Sequence, residues 1–299
     1  MEGEPTQRSF LQKFFGTNLP NPGKFEDISN EANKMFLLDT FEGVRIDWQR
    51  PLSNAFGVNH LLHLQPAADT YGTYHFGANF AENQHLVLSR TATNGNVDAR
   101  YIMTATPNLT VSCQSQLSAT PHQSMAVLGA DYKGSDYFAQ CKVGSMAQYG
   151  FSYLQSVTRN LSMGLDFLYI GRPPYPGVPP IAHLTGGLRY ATERLALSSS
   201  LNLSQGQLKT NYVQRVKDNL NFGTELSIDL ANGKDSTCSL GYEYSTQQGA
   251  FKSNLTTDGK VASVFEKQLS EVSSLTIAVE CDHGKKAVKY GIGFQFMQY

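Results

Sequence analysis

The sequence predicts an all-β chain wrapped into one large membrane-spanning barrel, and three observations carry that expectation. From Phe41 onward, apolar and polar residues alternate with a period of two in segments of about ten residues. Turn residues close each segment, and no linker interrupts the series. A run of ~20 uninterrupted apolar residues, the length a spanning helix requires, is found nowhere in the chain, which excludes helical spanning.

Taken in order, the chain divides into residues 1–40, an extension with one short helix, and residues 41–299, the barrel. The opening stretch MEGEPTQRSFLQKFFG has neither a charged start followed by a long apolar run nor a small-residue cleavage site, so no secretory signal is expected. That disfavours a bacterial-type exported porin. Residues Asn18 to Phe36 begin with a Pro/Gly turn and place Phe25, Ile28, Ala32, Met35 and Phe36 at helical spacing, with Glu26 and Asp27 where the helix dipole favours acids. The expectation is an amphipathic helix lying against the inner wall; a surface anchor or a disordered tail is the alternative.

The strands show their faces directly. Val97, Ala99, Tyr101 and Met103 alternate with Asp98, Arg100, Ile102 and Thr104, and Leu161, Met163, Leu165, Phe167 and Tyr169 alternate with Ser162, Gly164, Asp166 and Leu168. Similar uncharged rows are Tyr74, Phe76, Ala78 and Phe80, then Leu220, Phe222, Thr224, Leu226 and Ile228, and then Leu275, Ile277, Val279 and Cys281. Asn94-Gly95, Asn232-Gly233 and Asp258-Gly259 supply the positive φ angles of tight hairpins, and Lys133-Gly134 and His283-Gly284 resemble them. Sequons at Asn108, Asn160, Asn202 and Asn254 are read as turn chemistry in the absence of a secretory signal. Arg172 to Pro180, RPPYPGVPP, cannot pair in a sheet and is expected to be an exposed loop. At ~13 residues per strand and turn, the array holds roughly twenty strands.

A soluble sandwich would also alternate, but it would need a domain boundary every seven to ten strands or so. A closed barrel of roughly twenty strands is too wide for side chains to fill, so its inner face must meet water and its outer face lipid. Closure is then obligatory, because each unpaired backbone group in hydrocarbon costs several kcal/mol.

The near-neutral balance of 24 Lys plus Arg against 25 Asp plus Glu gives no support to a nucleic-acid partner. Cys113, Cys141, Cys238 and Cys281 are scattered without a C-x-x-C pair and are expected as free thiols. No P-loop, nucleophile elbow or dinucleotide fingerprint occurs, so an enzyme is not expected and no cofactor is implied. His60 and His63, the nearest approach to a metal pair, fall on opposite faces of a strand. Trp48 and the many tyrosines near strand ends fit interfacial girdles.

On the inner positions of the clearest strands stand Asp47, Asp98, Asp136, Asp166, Glu225, Asp229, Glu280 and Asp282, against Arg45, Arg100, Lys142 and Lys289. For any one carboxylate, solvation of a wide lumen suffices as an explanation. Collectively an acidic excess would hold a basic peptide without trapping it, since each contact with a cation in water is worth only ~1 kcal/mol at 4 Å.

NPGKFED (Asn21 to Asp27), FEGVRIDWQRPLSNAF (Phe41 to Phe56), YHFGANF (Tyr74 to Phe80), NGNVDAR (Asn94 to Arg100), DYKGSDYFAQCKVG (Asp131 to Gly144) and SYLQSVT (Ser152 to Thr158) resemble the channel-forming subunits of the mitochondrial outer-membrane protein translocase. Lys289 to Phe296, KYGIGFQF, is similar to that family's C-terminal sorting signal, with Lys289, Gly291, Phe294 and Phe296 at the polar, glycine and two hydrophobic positions. The resemblance implies nineteen strands with the first and last parallel, a helix inside the pore, and passage of unfolded precursor proteins across the mitochondrial outer membrane. It also implies presequence receptors and small single-helix subunits as partners, lipid around the barrel, and pairing of two pores. The chain has a short extension before its Asn-Pro-Gly turn where many relatives have a longer one. A metabolite pore of the voltage-dependent anion channel type, also nineteen-stranded, is the rival reading.

Overall fold

The structure, a computed structural model, describes residues 19–66, 72–120, 123–172, 179–230 and 236–298. The extension up to Asn18, the Asn232-Gly233 turn and the centre of the Pro-rich loop lie outside the described residues. Nineteen strands, β1 (Gly43–Pro51) through β19 (Ala287–Met297), follow one another in sequence, each antiparallel to the next. An odd number of strands laid down this way brings the first and last into the same direction. The sheet therefore closes through a parallel pair, with Gly43 opposite Gly291 and Trp48 opposite Phe296.

The turns behave as their residues require. Gly95 and Gly259 take φ of +81° and +79°, the left-handed conformation that lacks steric cost only for glycine. Gly134 closes its reversal by donating from its N–H to the Tyr137 carbonyl at 2.9 Å. Closure leaves every strand flanked on both sides, the arrangement hydrocarbon demands.

The two faces are solvated in the inverted sense. On β10 (Leu161–Ile170), Leu165 on the outside is 56% exposed, whereas Ser162 on the inside is 8% exposed. Exposed large apolar side chains, among them Met163, Phe167, Leu188, Phe222 and Ile277, recur around the outer face. The four cysteines also lie on outward positions of their strands and are free. Among the described residues no helix is long and apolar enough to cross a membrane, so the spanning is done by strands.

The N-terminal segment lies inside. A 3-10 turn (Phe25–Ser29) runs into helix α1 (Asn30–Phe36), and Ile28, Ala32, Met35 and Phe36 are buried against the wall. Three inward glycines make the shelf on which they rest. A Cβ at Gly187 of β11 (Ile181–Ala191) would stand 2.6 Å from Ile28 Cδ1, and one at Gly223 of β14 (Leu220–Asp229) would stand 2.6 Å from Met35 Sδ. Gly241 of β15 (Thr237–Thr246), directly opposite Gly223, would put a Cβ 2.9 Å from Phe36 Cε1. Only a bare backbone lets the helix approach this closely.

Phe41 marks the transition from segment to barrel. Its ring lies over Gly291 at the parallel seam, where any Cβ would collide with the Phe41 carbonyl and ring. The Arg45 guanidinium stands 4.3 Å from the ring centroid, and His63 meets the same ring edge-on at 6.1 Å.

Candidate functional site

The lumen wall and the segment lying on it form the candidate site. Asn21 fixes the start, donating through Nδ2 to the carbonyls of Gly134 and Tyr137 at 2.8 and 2.9 Å, while Ser156 Oγ donates to the Pro20 carbonyl at 2.7 Å. Lys24 pairs with Asp131 at 2.7 Å, Glu26 with Lys142, and Glu31 with Arg189. Asn254 Nδ2 donates to the Phe36 carbonyl at 2.9 Å, Thr40 Oγ1 donates to Glu280 Oε2 at 2.9 Å, and Asp39 pairs with Arg45 at 2.8 Å. The helical residues pack on the strands from β9 (Gln148–Ser156) to β16 (Gly249–Thr256). No hydrogen bond or ion pair among the described residues joins residues 20–40 to the strands from β2 (Phe56–Leu64) to β6 (Leu109–Leu117).

Most of the acids expected on the inner face are there. Asp47 faces inward on β1 beside Gln49, and Asp98 on β5 (Val97–Thr106) stands opposite Arg90 of β4 (His85–Ala92). Asp166 is within electrostatic reach of Lys142 and Glu26. Glu225 is bridged to Lys209 of β13 (Gln207–Lys217) at 3.0 Å, and Asp229 ends β14 opposite Gln207. Glu280 on β18 (Ser273–Asp282) faces Lys289 across the strand pair, and Asp282 sits at the rim, accepting from the Lys285 N–H at 2.9 Å.

Asp136 is a correction. It belongs to the turn before β8 (Tyr137–Gly144) and accepts from Gln155 Nε2 at 2.9 Å on the outward side, so it does not line the lumen. Its even number matched the inner parity, but alternation stops where pairing stops. The acidic excess is a second correction, because strands with weaker alternation also contribute Arg90, Arg189, Lys209, Arg215, Lys252 and Lys260 to the inner face. Asp131, Glu243 and Glu266 join the acids. The wall is mixed, with acids and bases facing each other across strand pairs. Cross-strand register would have exposed this; single-strand alternation did not.

The geometry is that of a closed pore with a largely polar inner wall and an internal segment, and comparison with known proteins places it. The sequence profile of eukaryotic porins matches residues 21–293. The probable mitochondrial import receptor subunit TOM40-2 of Arabidopsis thaliana is 30% identical, with 93% of this chain and 91% of that protein aligned. The chain belongs to the eukaryotic porin family and, within it, to the TOM40 import subunits. The TOM40 homologue of Xenopus laevis is 28% identical over 92% of this chain and 83% of its own length. The human one is 26% identical over 92% and 78%. Among solved structures, a mutant of the Rh. blastica porin superposes with a TM-score of 0.51 at 10% identity, covering 81% of this chain and 98% of that one; this likeness concerns the fold alone.

In this TOM40-type porin the residues of the C-terminal motif divide by face. Lys289 and Gly291 point inward, Gly291 beneath Phe41, while Phe294 and Phe296 point outward with their rings 6.4 Å apart. His60 and His63 are likewise split. His60 stacks on Trp48 outside, and His63 meets the Glu42 carbonyl inside at 3.0 Å. Among the described residues no cluster of His, Cys, Asp or Glu could hold a metal.

Proposed function

We propose that this chain is a protein-conducting channel of the mitochondrial outer membrane, passing unfolded precursor proteins through its water-filled lumen. The observation that carries the reading is likeness to TOM40 import subunits along the whole barrel, on a chain whose polar face points inward. Nothing in the reading requires covalent chemistry, because a pore needs only a path and a surface of low affinity. Asp47, Asp98, Asp166, Glu225, Asp229, Glu280 and Asp282 are proposed as contacts for basic targeting segments, each weak enough to release its cargo. Lys289, Gly291, Phe294 and Phe296 are proposed as the sorting signal read during membrane assembly.

The proposed partners are presequence receptors, small single-helix subunits and a second copy of the pore. An apolar notch on the outer face supports the membrane-buried ones. Outward Gly186 sits there among Phe151, Leu165, Leu184 and Leu188, where missing side-chain volume admits a helix.

Conductance of the chain reconstituted in a planar bilayer tests the channel. An Arg-rich amphipathic peptide should block it from one side in a voltage-dependent manner. An anion-preferring pore indifferent to that peptide would instead support the metabolite-pore reading.

A further inference from the structure

The ion pairs between segment and wall share an orientation. Glu26, Glu31 and Asp39 each end on a wall cation, and in every case the acid is the more exposed partner. Side-chain exposure is 57% for Glu26 over 31% for Lys142, 40% for Glu31 over 25% for Arg189, and 67% for Asp39 over 28% for Arg45. An ion in the lumen meets the carboxylate before the base behind it. Among the described residues one segment pair has the opposite sense, Lys24 on Asp131, which hides an acid behind a base. Of the remaining charges on the segment, Asp27 and Lys34 offset each other. Docking therefore covers three wall cations with acids and one wall anion with a base, turning a mixed wall toward negative potential along the path from β8 to β1.

From this arrangement we infer that the docked segment sets the ion preference of the pore, with Glu26, Glu31 and Asp39 as its specificity-determining residues. The wall alone is charge-mixed, and fields from exposed charges beyond about 8–10 Å are screened at ordinary salt. Small ions passing the wall respond to the nearest layer of charge, and the segment supplies that layer. The inference depends on the pore alone and holds whatever cargo the pore carries.

The test uses the full chain in planar bilayers across a KCl gradient, with the segment held in place. Ser29 Oγ and Ser198 Oγ are 3.2 Å apart, so Ser29→Cys with Ser198→Cys gives a disulfide that locks the segment to β12 (Leu195–Asn202). In that locked background, Glu26→Gln, Glu31→Gln and Asp39→Asn together should move the reversal potential toward anions, lowering the cation-to-anion permeability ratio by roughly twofold or more. Adding Lys142→Gln, Arg189→Gln and Arg45→Gln to the triple variant should return the ratio toward the parent. An unchanged reversal potential in the locked triple variant overturns the inference, because the charges then go unfelt although the segment is docked. Should the triple variant fail to assemble, Glu31→Gln alone against Glu31→Gln with Arg189→Gln asks the same question, and equal potentials in those two overturn it as well.

Discussion

The covered and bare sides of the lumen differ in what their inward positions are for. Around β11, β14 and β15 the wall gives up side chains at Gly187, Gly223 and Gly241, and the 3-10 turn and short helix fill the space with Ile28, Met35 and Phe36. Around β4 to β6 the wall sets Leu86, Leu88 and Ile102 among polar and charged groups, with Arg90 opposite Asp98 and Gln116 opposite Asp98 on its other side. One side is thus a docking surface with a small dry core, and the other is a wetted path. A barrel too wide to pack its own interior obtains its buried residues locally, by folding a piece of its chain back onto the wall.

The sharpest way to break the contrast is to remove what fills the dry side. Met35 is 1% exposed, so Met35→Ala should cost about 2–5 kcal/mol of unfolding free energy in detergent. Leu88→Ala on the wetted side, where Leu88 is only half-buried, should cost clearly less. Equal losses on the two sides would mean that the segment adds no core. Next in size is the shelf itself. Gly223→Ala with Gly241→Ala puts methyl groups against a Met35 and a Phe36 that have nowhere to go, at about 1–3 kcal/mol. Gly129→Ala in β7 (Met125–Lys133) meets only the rotatable Ser112 hydroxyl at 2.8 Å, and its melting temperature should stay near the parent's. Disulfide yield between cysteines placed at Ser29 and Ser198 gives a second readout, falling in the shelf variant and holding in the control.

Much of this division was legible in the sequence, though unevenly. The outer rows Leu161 to Tyr169 and Leu220 to Ile228 announce themselves because lipid tolerates no charge along an entire row. Residues Phe25 to Phe36 show helical spacing because a helix touching one wall needs one apolar stripe. The inner face is harder to read, since water accepts almost any residue and alternation alone assigns a position without naming its neighbour. Hence alternation alone puts Asp136 in the lumen although it lies in a turn, and it gives no sign of the partners Arg189 and Lys252. The shelf glycines carried a signal, because Gly223 and Gly241 become opposite neighbours once the register is set by the intervening turn. Gly291 stands out only as part of a sorting motif; that it also makes room for Phe41 at the parallel seam depends on a contact between residues 250 positions apart, which no local pattern encodes.

Smaller effects sharpen the comparison. Asn254 donates to the carbonyl that ends α1, so Asn254→Ala should cost about 0.5–1.5 kcal/mol. Gln114→Ala, an exposed inward position on the bare side, should stay within about 0.5 kcal/mol of the parent by the same denaturation measurement.

The last contrast concerns function and is the smallest. Glu225 already holds Lys209 at 3.0 Å, so a passing cation must compete with a fixed ammonium for it. Asp98, on the bare side, has Arg90 as its cross-strand neighbour without an ion pair between them, and its carboxylate faces the path. A single contact in water is worth at most ~1 kcal/mol at 4 Å, and salt reduces it further. Asp98→Asn should therefore weaken block by an Arg-rich peptide by roughly two- to threefold, whereas Glu225→Gln should change it less and in proportion to how far Lys209 is freed. If Glu225→Gln proved the more damaging of the two, the peptide would be travelling along the segment rather than along the bare wall.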